Sequence, residues 1–251
     1  MNNVSTQSDS FVGRLNAFMT IIYEPKLHFL FAAFWFLSLQ GHIVLQSGAG
    51  QPWVFSLATL LGVITLFLVM FYLRAVDEVK DFDYDSKYNP DRPLVSGAVT
   101  MLDIRRYCLI AFLVIPAMNL GLGLWLAVFI LMDMLYGLVL LKLEQWIPLM
   151  QRNMLFNLLL TYPVSIALSV YTLLLTDWVL GVDVQAISIV IIFIYILAFL
   201  NFEIVRKNLW PVMAEEGEKF YSHDLGPMKA AIIALLCAFS AIALIIYLNA
   251  P

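Results

Sequence analysis

Charged residues are scarce in this sequence. Only 13% of its 251 residues are Asp, Glu, Lys or Arg, whereas 62% are hydrophobic. Soluble domains carry about 25% charged residues, so this composition excludes an ordinary soluble domain. Several apolar runs reach the roughly 20 residues that a helix needs to cross the hydrocarbon core of a bilayer. The sequence therefore predicts an all-α, polytopic membrane protein.

Cysteines and basic patches are also rare. The two cysteines, Cys108 and Cys237, lie inside apolar runs, where we expect them to pack as small apolar side chains rather than form a disulfide. The net charge is -4 and no basic patch stands apart from the acids, which argues against nucleic acid as a partner. The first ten residues are polar, so we expect no cleavable signal peptide.

The apolar runs predict about seven spans in a single transmembrane domain of residues 27–251. The predicted spans are 27–46, 53–73, a third and a fourth that share 103–141, 153–175, 184–204 and 227–249. The third and fourth spans separate at residues 119–123, Asn-Leu-Gly-Leu-Gly, because Asn and Gly mark tight connections. Pro116 and Pro163 are expected to lie within spans. In the N-terminal segment 1–26, we expect disorder up to residue 13 and a short interfacial helix over 14–24.

The basic residues predict the orientation of these spans. With the N-terminus in the cytoplasm, all 14 Lys and Arg residues fall on cytoplasmic segments and the external loops carry none. Cytoplasmic loops of membrane proteins are enriched in Lys and Arg, so this distribution supports both the span count and the orientation. It also places the two long polar loops, 74–102 and 205–226, on the cytoplasmic side.

Most of the reactive side chains lie in one polar stretch, Arg74–Gly97. It contains five Asp, one Glu and four Lys or Arg residues. Asp77, Glu78, Asp81 and Asp85 recur at intervals of three and four residues, which would place them on one face of a helix continuing from the second span. Clustered carboxylates repel one another unless a cation lies among them, and Mg²⁺ prefers such oxygen ligands. The alternative is a solvated loop with internal ion pairs.

The order of residues within this stretch carries a further signal. Residues 77–85 read D-E-x-x-D-x-x-x-D, and residues 90–97 read P-D-R-P-L-x-x-G. This pattern resembles the UbiA superfamily of intramembrane prenyltransferases, which carry N-D-x-x-D-x-x-x-D and then P-x-R-P-L-x-x-G after their second helix. Asp77 stands for the family's Asn and Glu78 for its first Asp, and both substitutions retain oxygen ligands.

The resemblance implies a fold, a cofactor and a substrate. The fold would be a UbiA-like helical bundle around a central cavity that opens to lipid. Mg²⁺ held by Asp77, Glu78, Asp81 and Asp85 would bind a prenyl diphosphate, and Arg92 is suited to a pair of phosphate oxygens. Departure of the diphosphate would leave an allylic cation that attacks an acceptor.

The second polar loop departs from the family pattern. Most members carry D-x-x-x-D at the end of the sixth helix, whereas here Glu203 falls on the first position and Lys207 on the second. We expect Glu203 to bind metal, and Arg206 and Lys207 to neutralise diphosphate directly. Glu215 and Glu216 lie further along the loop as additional candidate ligands. The alternative for this loop is a solvated segment whose charges pair locally.

The fourth predicted span contributes three more candidates. Asp133 lies inside the span, where an acid is costly and usually faces a cavity, so we expect it to orient an acceptor or stabilise a cation. Tyr136 follows one helical turn later. The family has a Tyr and a Lys in this region, which implies that Lys142 reaches phosphate; the alternative is a Lys that only marks the cytoplasmic end of the helix. Several aromatic residues near cytoplasmic span ends could also stabilise a cation, although lipid anchoring and packing are simpler roles: Phe71, Tyr72, Tyr107, Tyr136, Phe199 and Phe202.

These observations predict a Mg²⁺-dependent enzyme that ionises a prenyl diphosphate and transfers the prenyl group to an aromatic or lipid acceptor. Two alternatives stay open. In a terpene cyclase the cation would be captured by its own double bonds, and in a divalent-cation transporter the acidic loop would act as a gate. Family members usually have nine spans, so homo-oligomerisation could supply the wall that two missing spans would otherwise form.

Overall fold

The computed structural model describes residues 10–47, 53–181, 185–214 and 218–250. Within these ranges the chain forms helices and no strands, which confirms the all-α prediction. The α-helices, in chain order, are α1 Phe11–Phe18, α2 Pro25–Gln46, α3 Leu57–Lys80, α4 Phe82–Tyr88, α5 Met101–Leu120, α6 Leu124–Trp146, α7 Pro148–Arg152, α8 Met154–Thr161, α9 Pro163–Leu180, α10 Ala186–Arg206, α11 Tyr221–Leu225 and α12 Pro227–Asn249. A π-helical turn, Met19–Tyr23, follows α1, and a 3-10 turn, Pro211–Met213, follows α10.

Six helical segments in the described ranges are long and apolar enough to cross a membrane. They are α2, α3, α6, the α8–α9 segment Met154–Leu180, α10 and α12. Each coincides with a predicted span. The remaining predicted span corresponds to α5, whose first turns carry Asp103, Arg105 and Arg106 and are therefore more polar than the six. The structure is accordingly that of a multi-pass helical membrane protein.

The helix boundaries agree with the predicted spans and with the predicted break between two of them. Helix α5 ends at Leu120 and α6 begins at Leu124, which confirms the predicted break. Pro163 lies within its predicted span, the α8–α9 segment Met154–Leu180, in which α8 ends at Thr161 and Pro163 starts α9. Proline lacks an N–H group and clashes with the preceding turn, so it suits the first position of a helix better than the interior. Helix α3 runs on to Lys80, seven residues beyond the predicted span end at 73, which agrees with the predicted continuation of this helix into the polar stretch.

The N-terminal segment begins its helix earlier than predicted. The Ser10 side chain accepts a hydrogen bond from the backbone N–H of Gly13 at 3.0 Å, and α1 starts at Phe11. Residues 11–13 are therefore helical, which corrects the expected disorder there. The residue after the π-helical turn, Glu24, has a left-handed φ of +49°, and Pro25 then begins α2.

The chain divides into two compact units, the first of which contains Met1–Leu37 and Phe55–Leu141. Within it α3 packs against α5, and the buried Asn119 amide donates a hydrogen bond to Thr65 Oγ1 at 3.0 Å. Gly137 on α6 allows a close approach to α3, because a Cβ atom there would lie 2.8 Å from Leu73 Cδ2. An aromatic cluster joins the N-terminal segment to α3 and α5, with members Phe11, Phe18, Tyr23, Phe71 and Tyr107.

The second unit contains Ser38–Val54 and Lys142–Pro251. Its main packing joins α10 to α12, which buries a small-residue stripe on α12: Ala230, Ala234, Cys237 and Ala241. The Asn201 amide donates a hydrogen bond to the Ala234 carbonyl at 2.8 Å. Asp224 Oδ2 accepts the backbone N–H of Met154 at 2.6 Å, which satisfies a free donor at the start of α8.

Candidate functional site

The helix is interrupted in the middle of the acidic motif. Asp81, with φ of -88° and ψ of 3°, ends α3 and precedes α4. The acids on either side of this break are of two kinds. Glu78 and Asp85 are each only 2% exposed, whereas the side chains of Asp77 and Asp81 are 46% and 39% exposed. This arrangement differs from the single acidic face that the spacing predicts.

The two buried carboxylates are joined by one arginine. Glu78 Oε1 accepts hydrogen bonds from Arg74 Nη2 at 2.8 Å and Arg92 Nη1 at 2.5 Å. Asp85 Oδ1 accepts from the Asn89 amide at 2.7 Å and lies 3.4 Å from Arg92 Nε. A buried carboxylate without a charged or hydrogen-bonding partner is strongly destabilising, so Arg92 stabilises both acids at once.

The turn after α4 holds Arg92 in this position. Its backbone N–H donates to the Asn89 carbonyl at 3.1 Å, and its carbonyl accepts from the Ser96 N–H at 2.8 Å. Leu94 is buried, and Gly97 takes a φ of +79°, a left-handed conformation that favours glycine. The P-x-R-P-L-x-x-G pattern therefore folds into a closed turn that directs Arg92 back toward α3.

The two exposed carboxylates share a lysine. Lys80 Nζ lies 3.2 Å from Asp77 Oδ1 and 3.7 Å from Asp81 Oδ1. Exposed ion pairs of this kind are weak, because water solvates and screens the charges. The ion pairs with Lys80 therefore contribute little to stability.

A surface cavity of about 400 Å³ lies beside the arginines. Arg74 and Arg92 supply cationic lining, and Ile21 and Ile22 of the π-helical turn supply apolar lining; the remaining residues at its border are Tyr88, Asn89, Pro90 and Asp91. The cavity thus combines guanidinium groups with hydrocarbon surface inside the first unit.

An ion pair holds the N-terminal helix that leads to the π-helical turn. Arg14 Nε and Nη2 donate to the two carboxylate oxygens of Asp103 at 2.7 and 2.9 Å. Asp103 also accepts from the backbone N–H and the hydroxyl of Thr100, so it caps α5 at the same time. This bidentate contact ties α1 to α5, and the turn that follows α1 carries Ile21 and Ile22.

The second polar loop contains a self-paired cluster around Glu203. Glu203 Oε2 accepts from Arg206 Nε at 2.6 Å, while its Oε1 lies 3.2 Å from Lys207 Nζ and accepts from the Tyr221 hydroxyl at 3.1 Å. Burial raises the pKa of Tyr221, and the charge of Glu203 raises it further, so the phenol stays protonated and acts as a donor. Glu215 and Glu216 lie outside the described residues.

Comparisons with known proteins assign no family. No protein-family model, curated protein or solved structure matches the chain. The resemblance of residues 77–97 to the UbiA superfamily therefore stays a prediction.

The carboxylates differ in how well they fit Mg²⁺. Across the described ranges, no three His, Cys, Asp or Glu side chains form a group that could hold a metal ion. Mg²⁺ commonly binds through one or two carboxylates together with substrate phosphates, and the exposed pair Asp77 and Asp81 fits that mode. Glu78, Asp85 and Glu203 do not fit it as arranged, because arginine or lysine groups already neutralise them.

The candidates on α6 have different environments. Asp133 is buried at 5% exposure, and its Oδ2 atom has no hydrogen-bond partner within the described part of the chain. Tyr136 is half-buried and Lys142 is exposed. The aromatic candidates Phe71 and Tyr107 belong to the packed cluster of the first unit, which agrees with a packing role.

Sequence reasoning missed several residues of the cavity. Arg74 lies four residues before Glu78, a spacing that places both on one helical face, so the ion pair had a local signal. Asn89 directly precedes the P-x-R-P motif, which is a weaker local signal. Ile21 and Ile22 had none, because their place in the cavity depends on the π-helical turn and on the packing of α1.

Proposed function

We propose that this protein is a Mg²⁺-dependent membrane enzyme of the UbiA type, which ionises a prenyl diphosphate and transfers the prenyl group to an acceptor. The observation that supports this most is the cavity lined by Arg74 and Arg92 together with Ile21 and Ile22. Binding sites that combine apolar surface with a few placed polar groups suit amphipathic ligands. A diphosphate joined to a hydrocarbon chain has that character.

In the proposed reaction, the bond between the allylic carbon and the diphosphate oxygen breaks, and its electron pair leaves with the diphosphate. The acceptor then bonds to the allylic carbon and releases a proton. Arg74 and Arg92 would stabilise the negative charge that grows on the leaving oxygen. Bound at Asp77 and Asp81, Mg²⁺ would supply further neutralisation of that charge. The assignments of Lys142, Arg206 and Lys207 to diphosphate stay predictions. The assignment of Glu203 to metal is not part of this proposal, because Arg206 and Lys207 already neutralise that carboxylate.

The membrane topology belongs to the same proposal. Helix α5 would cross the membrane as a seventh span, with the N-terminus and the loops 74–102 and 205–226 in the cytoplasm. The one-sided distribution of the 14 Lys and Arg residues supports this arrangement. Single cysteines placed at Lys87 and Trp53 in a Cys108→Ser, Cys237→Ser background test it. A membrane-impermeant thiol reagent applied outside intact cells should label position 53 and not position 87, and the reverse pattern would contradict the orientation.

A direct assay tests the enzyme activity. The purified protein is supplied with geranyl, farnesyl or geranylgeranyl diphosphate, with and without Mg²⁺ and a panel of acceptors. Diphosphate release and mass spectrometry of the products provide the readout. We expect Mg²⁺-dependent release and a prenylated acceptor. Absence of Mg²⁺-dependent release with every chain length would contradict the proposal and favour the divalent-cation transporter.

One observation favours the terpene cyclase as a second candidate. The Oδ2 atom of Asp133 is buried on α6 without a hydrogen-bond partner in the described residues. An acid in such a place can stabilise a carbocation or remove the proton that ends a cyclisation. A hydrocarbon or terpene alcohol formed without any acceptor would support the cyclase, and a change in product distribution in Asp133→Asn would assign that residue to it.

A further inference from the structure

A group of exposed apolar side chains lies in the second polar loop. Val212 and Met213 belong to the 3-10 turn, and Trp210 directly precedes it. All three side chains are exposed, Val212 at 92%. The Met213 N–H donates a hydrogen bond to the Trp210 carbonyl at 2.8 Å, which closes the turn. Single exposed apolar residues are common on proteins, whereas several that lie together mark a contact surface.

Hydrogen bonds hold this turn close to the ends of α10 and α12. The Asn208 amide donates to the carbonyl of Pro227, the first residue of α12, at 3.2 Å. The Leu209 N–H donates to the Ser222 hydroxyl at 3.2 Å. These two contacts close the base of the loop beside both helices. Since α10 and α12 are long and apolar enough to cross a membrane, Trp210, the fourth residue after α10, lies near a membrane surface.

A second exposed apolar group lies at the same end of this unit. Trp146 ends α6 and Leu149 lies in α7, and both are exposed. Asp224, in the second polar loop, accepts the backbone N–H of Met154 at 2.6 Å, and Met154 begins α8 just after this connection. The two connections therefore meet at one end of the unit. The exposed residues of both groups form one apolar rim: Trp146, Leu149, Trp210, Val212 and Met213.

Exposed cations accompany the apolar rim. Lys142 lies one helical turn before Trp146, Arg152 ends α7, and Arg206 ends α10. Tryptophan together with lysine or arginine is typical of the membrane–water interface, where the indole ring lies among the headgroups and the long cationic side chains reach water. The exposed acid Asp224 shares this end of the unit, so the charges favour no anionic lipid in particular.

The apolar rim continues the exposed apolar surface of the spanning helices. Phe202 and Val205, near the end of α10, are exposed, and so is Met228 at the start of α12. In a multi-pass membrane protein, exposed apolar side chains on the spans contact lipid tails, which are as apolar as they are. Lipid at the same surface can therefore cover the apolar rim without a further partner.

We propose that the apolar rim inserts into the lipid headgroup region at one surface of the bilayer, so that the 3-10 turn lies in lipid instead of projecting into water. Transfer of its apolar side chains out of water stabilises this position, as it does for interfacial helices. The inference goes beyond the proposed enzyme function, because it depends on the multi-pass membrane fold and not on the reaction.

Fluorescence quenching tests the position of the turn. Val212→Cys is made in the Cys108→Ser, Cys237→Ser background, labelled with nitrobenzoxadiazole, and the full-length protein is reconstituted into phosphatidylcholine nanodiscs. His223→Cys, at an exposed position in the same loop, is the matched control. We expect brominated phosphatidylcholine to quench the label at 212 about 3-fold more than the label at 223, and aqueous iodide to show the opposite preference.

Each other result would overturn the proposal. A label at 212 that responds to both quenchers as the control does would show that the turn projects into water. A label at 212 that is protected from both quenchers would show that protein, from this chain or a second copy, covers the turn. Leu149→Cys tests the other connection and should behave like Val212→Cys. Quenching at 149 that matches the control would also overturn the proposal, which requires both groups at one lipid surface.

Discussion

The two polar loops each hold a glutamate between two cations, but at different depths. Glu78 lies between Arg74 and Arg92 and is 2% exposed. Glu203 lies between Arg206 and Lys207, is 20% exposed, and has a cationic partner, Arg206, that is 49% exposed. The same combination of charges thus surrounds a buried glutamate in one loop and a partly exposed glutamate in the other.

The two loops therefore differ in how deeply the glutamate is buried rather than in their charge composition. A buried carboxylate depends on its partners, because removing one leaves a charge without water or counter-ion. A solvated carboxylate loses little, since water replaces the partner. Substitutions at matching positions should consequently have unequal effects, and the predictions below are ordered from the largest to the smallest.

The largest expected contrast concerns turnover. Asp81→Ala should lower prenyl-diphosphate turnover by about 100-fold or more, because it removes a carboxylate that fits the metal and so weakens stabilisation of the leaving group. Since Asp81 is exposed, the thermal unfolding temperature in detergent should stay within about 2 °C of the wild type. Glu203→Ala, the matched change in the second loop, should cost less than about 10-fold. Equal losses in both variants would contradict the contrast.

A second contrast concerns stability. Arg92→Ala should lower the free energy of unfolding by about 3 kcal/mol, because it leaves Glu78 and Asp85 buried with one fewer cation. Arg206→Ala should cost less than about 1 kcal/mol, because Glu203 keeps Lys207 and Tyr221 as partners. Denaturant unfolding in mixed micelles measures both. A cost for Arg206→Ala that matches Arg92→Ala would show that depth does not separate the loops.

A third prediction uses pH to test the burial of the Tyr221 phenol beside Glu203. The pKa of Tyr221 is raised in the folded protein, mainly by burial, so the folded state holds its proton at a pH where the unfolded state releases it. The stabilisation is therefore complete below the unfolded pKa of about 10 and declines as pH rises above it. We expect the wild type to lose stability relative to Tyr221→Phe between about pH 10 and 11, measured by unfolding at each pH. A constant difference across that range would contradict the shift.

The smallest expected effect concerns the turn that holds Arg92. Gly97→Ala should destabilise by about 1 kcal/mol, because the left-handed φ of +79° disfavours any side chain. No atom lies within 4 Å of a Cβ added there, so the cost is conformational rather than steric. Gly41→Ala also places a Cβ in open space, but inside a helix, so it should not destabilise. Similar costs for both would show that the φ of Gly97 is not the cause.

Much of the helical framework could be predicted because its signals are local. The length of each apolar run indicated the helices that can cross a membrane, and Asn119 with Gly121 and Gly123 located the break between α5 and α6. The break at Asp81 was not predictable from helical spacing, since the three- and four-residue intervals of the acids continue through it. Pro163 lies inside its predicted span, but the one-residue interruption that separates α8 from α9 there had no prediction.

The features of the candidate site also divide into those set by local sequence and those set by tertiary packing. The sequence by itself determined the all-helical membrane class and the position of the acidic motif, because run length, spacing and charge are properties of neighbouring residues. Only the tertiary structure decided that Glu78 and Asp85 are buried on Arg92, that Asp77 and Asp81 stay exposed, and that Ile21 and Ile22 border the cavity. Burial and pairing depend on which distant segments pack together, and the spacing of acids along one helix carries no record of that.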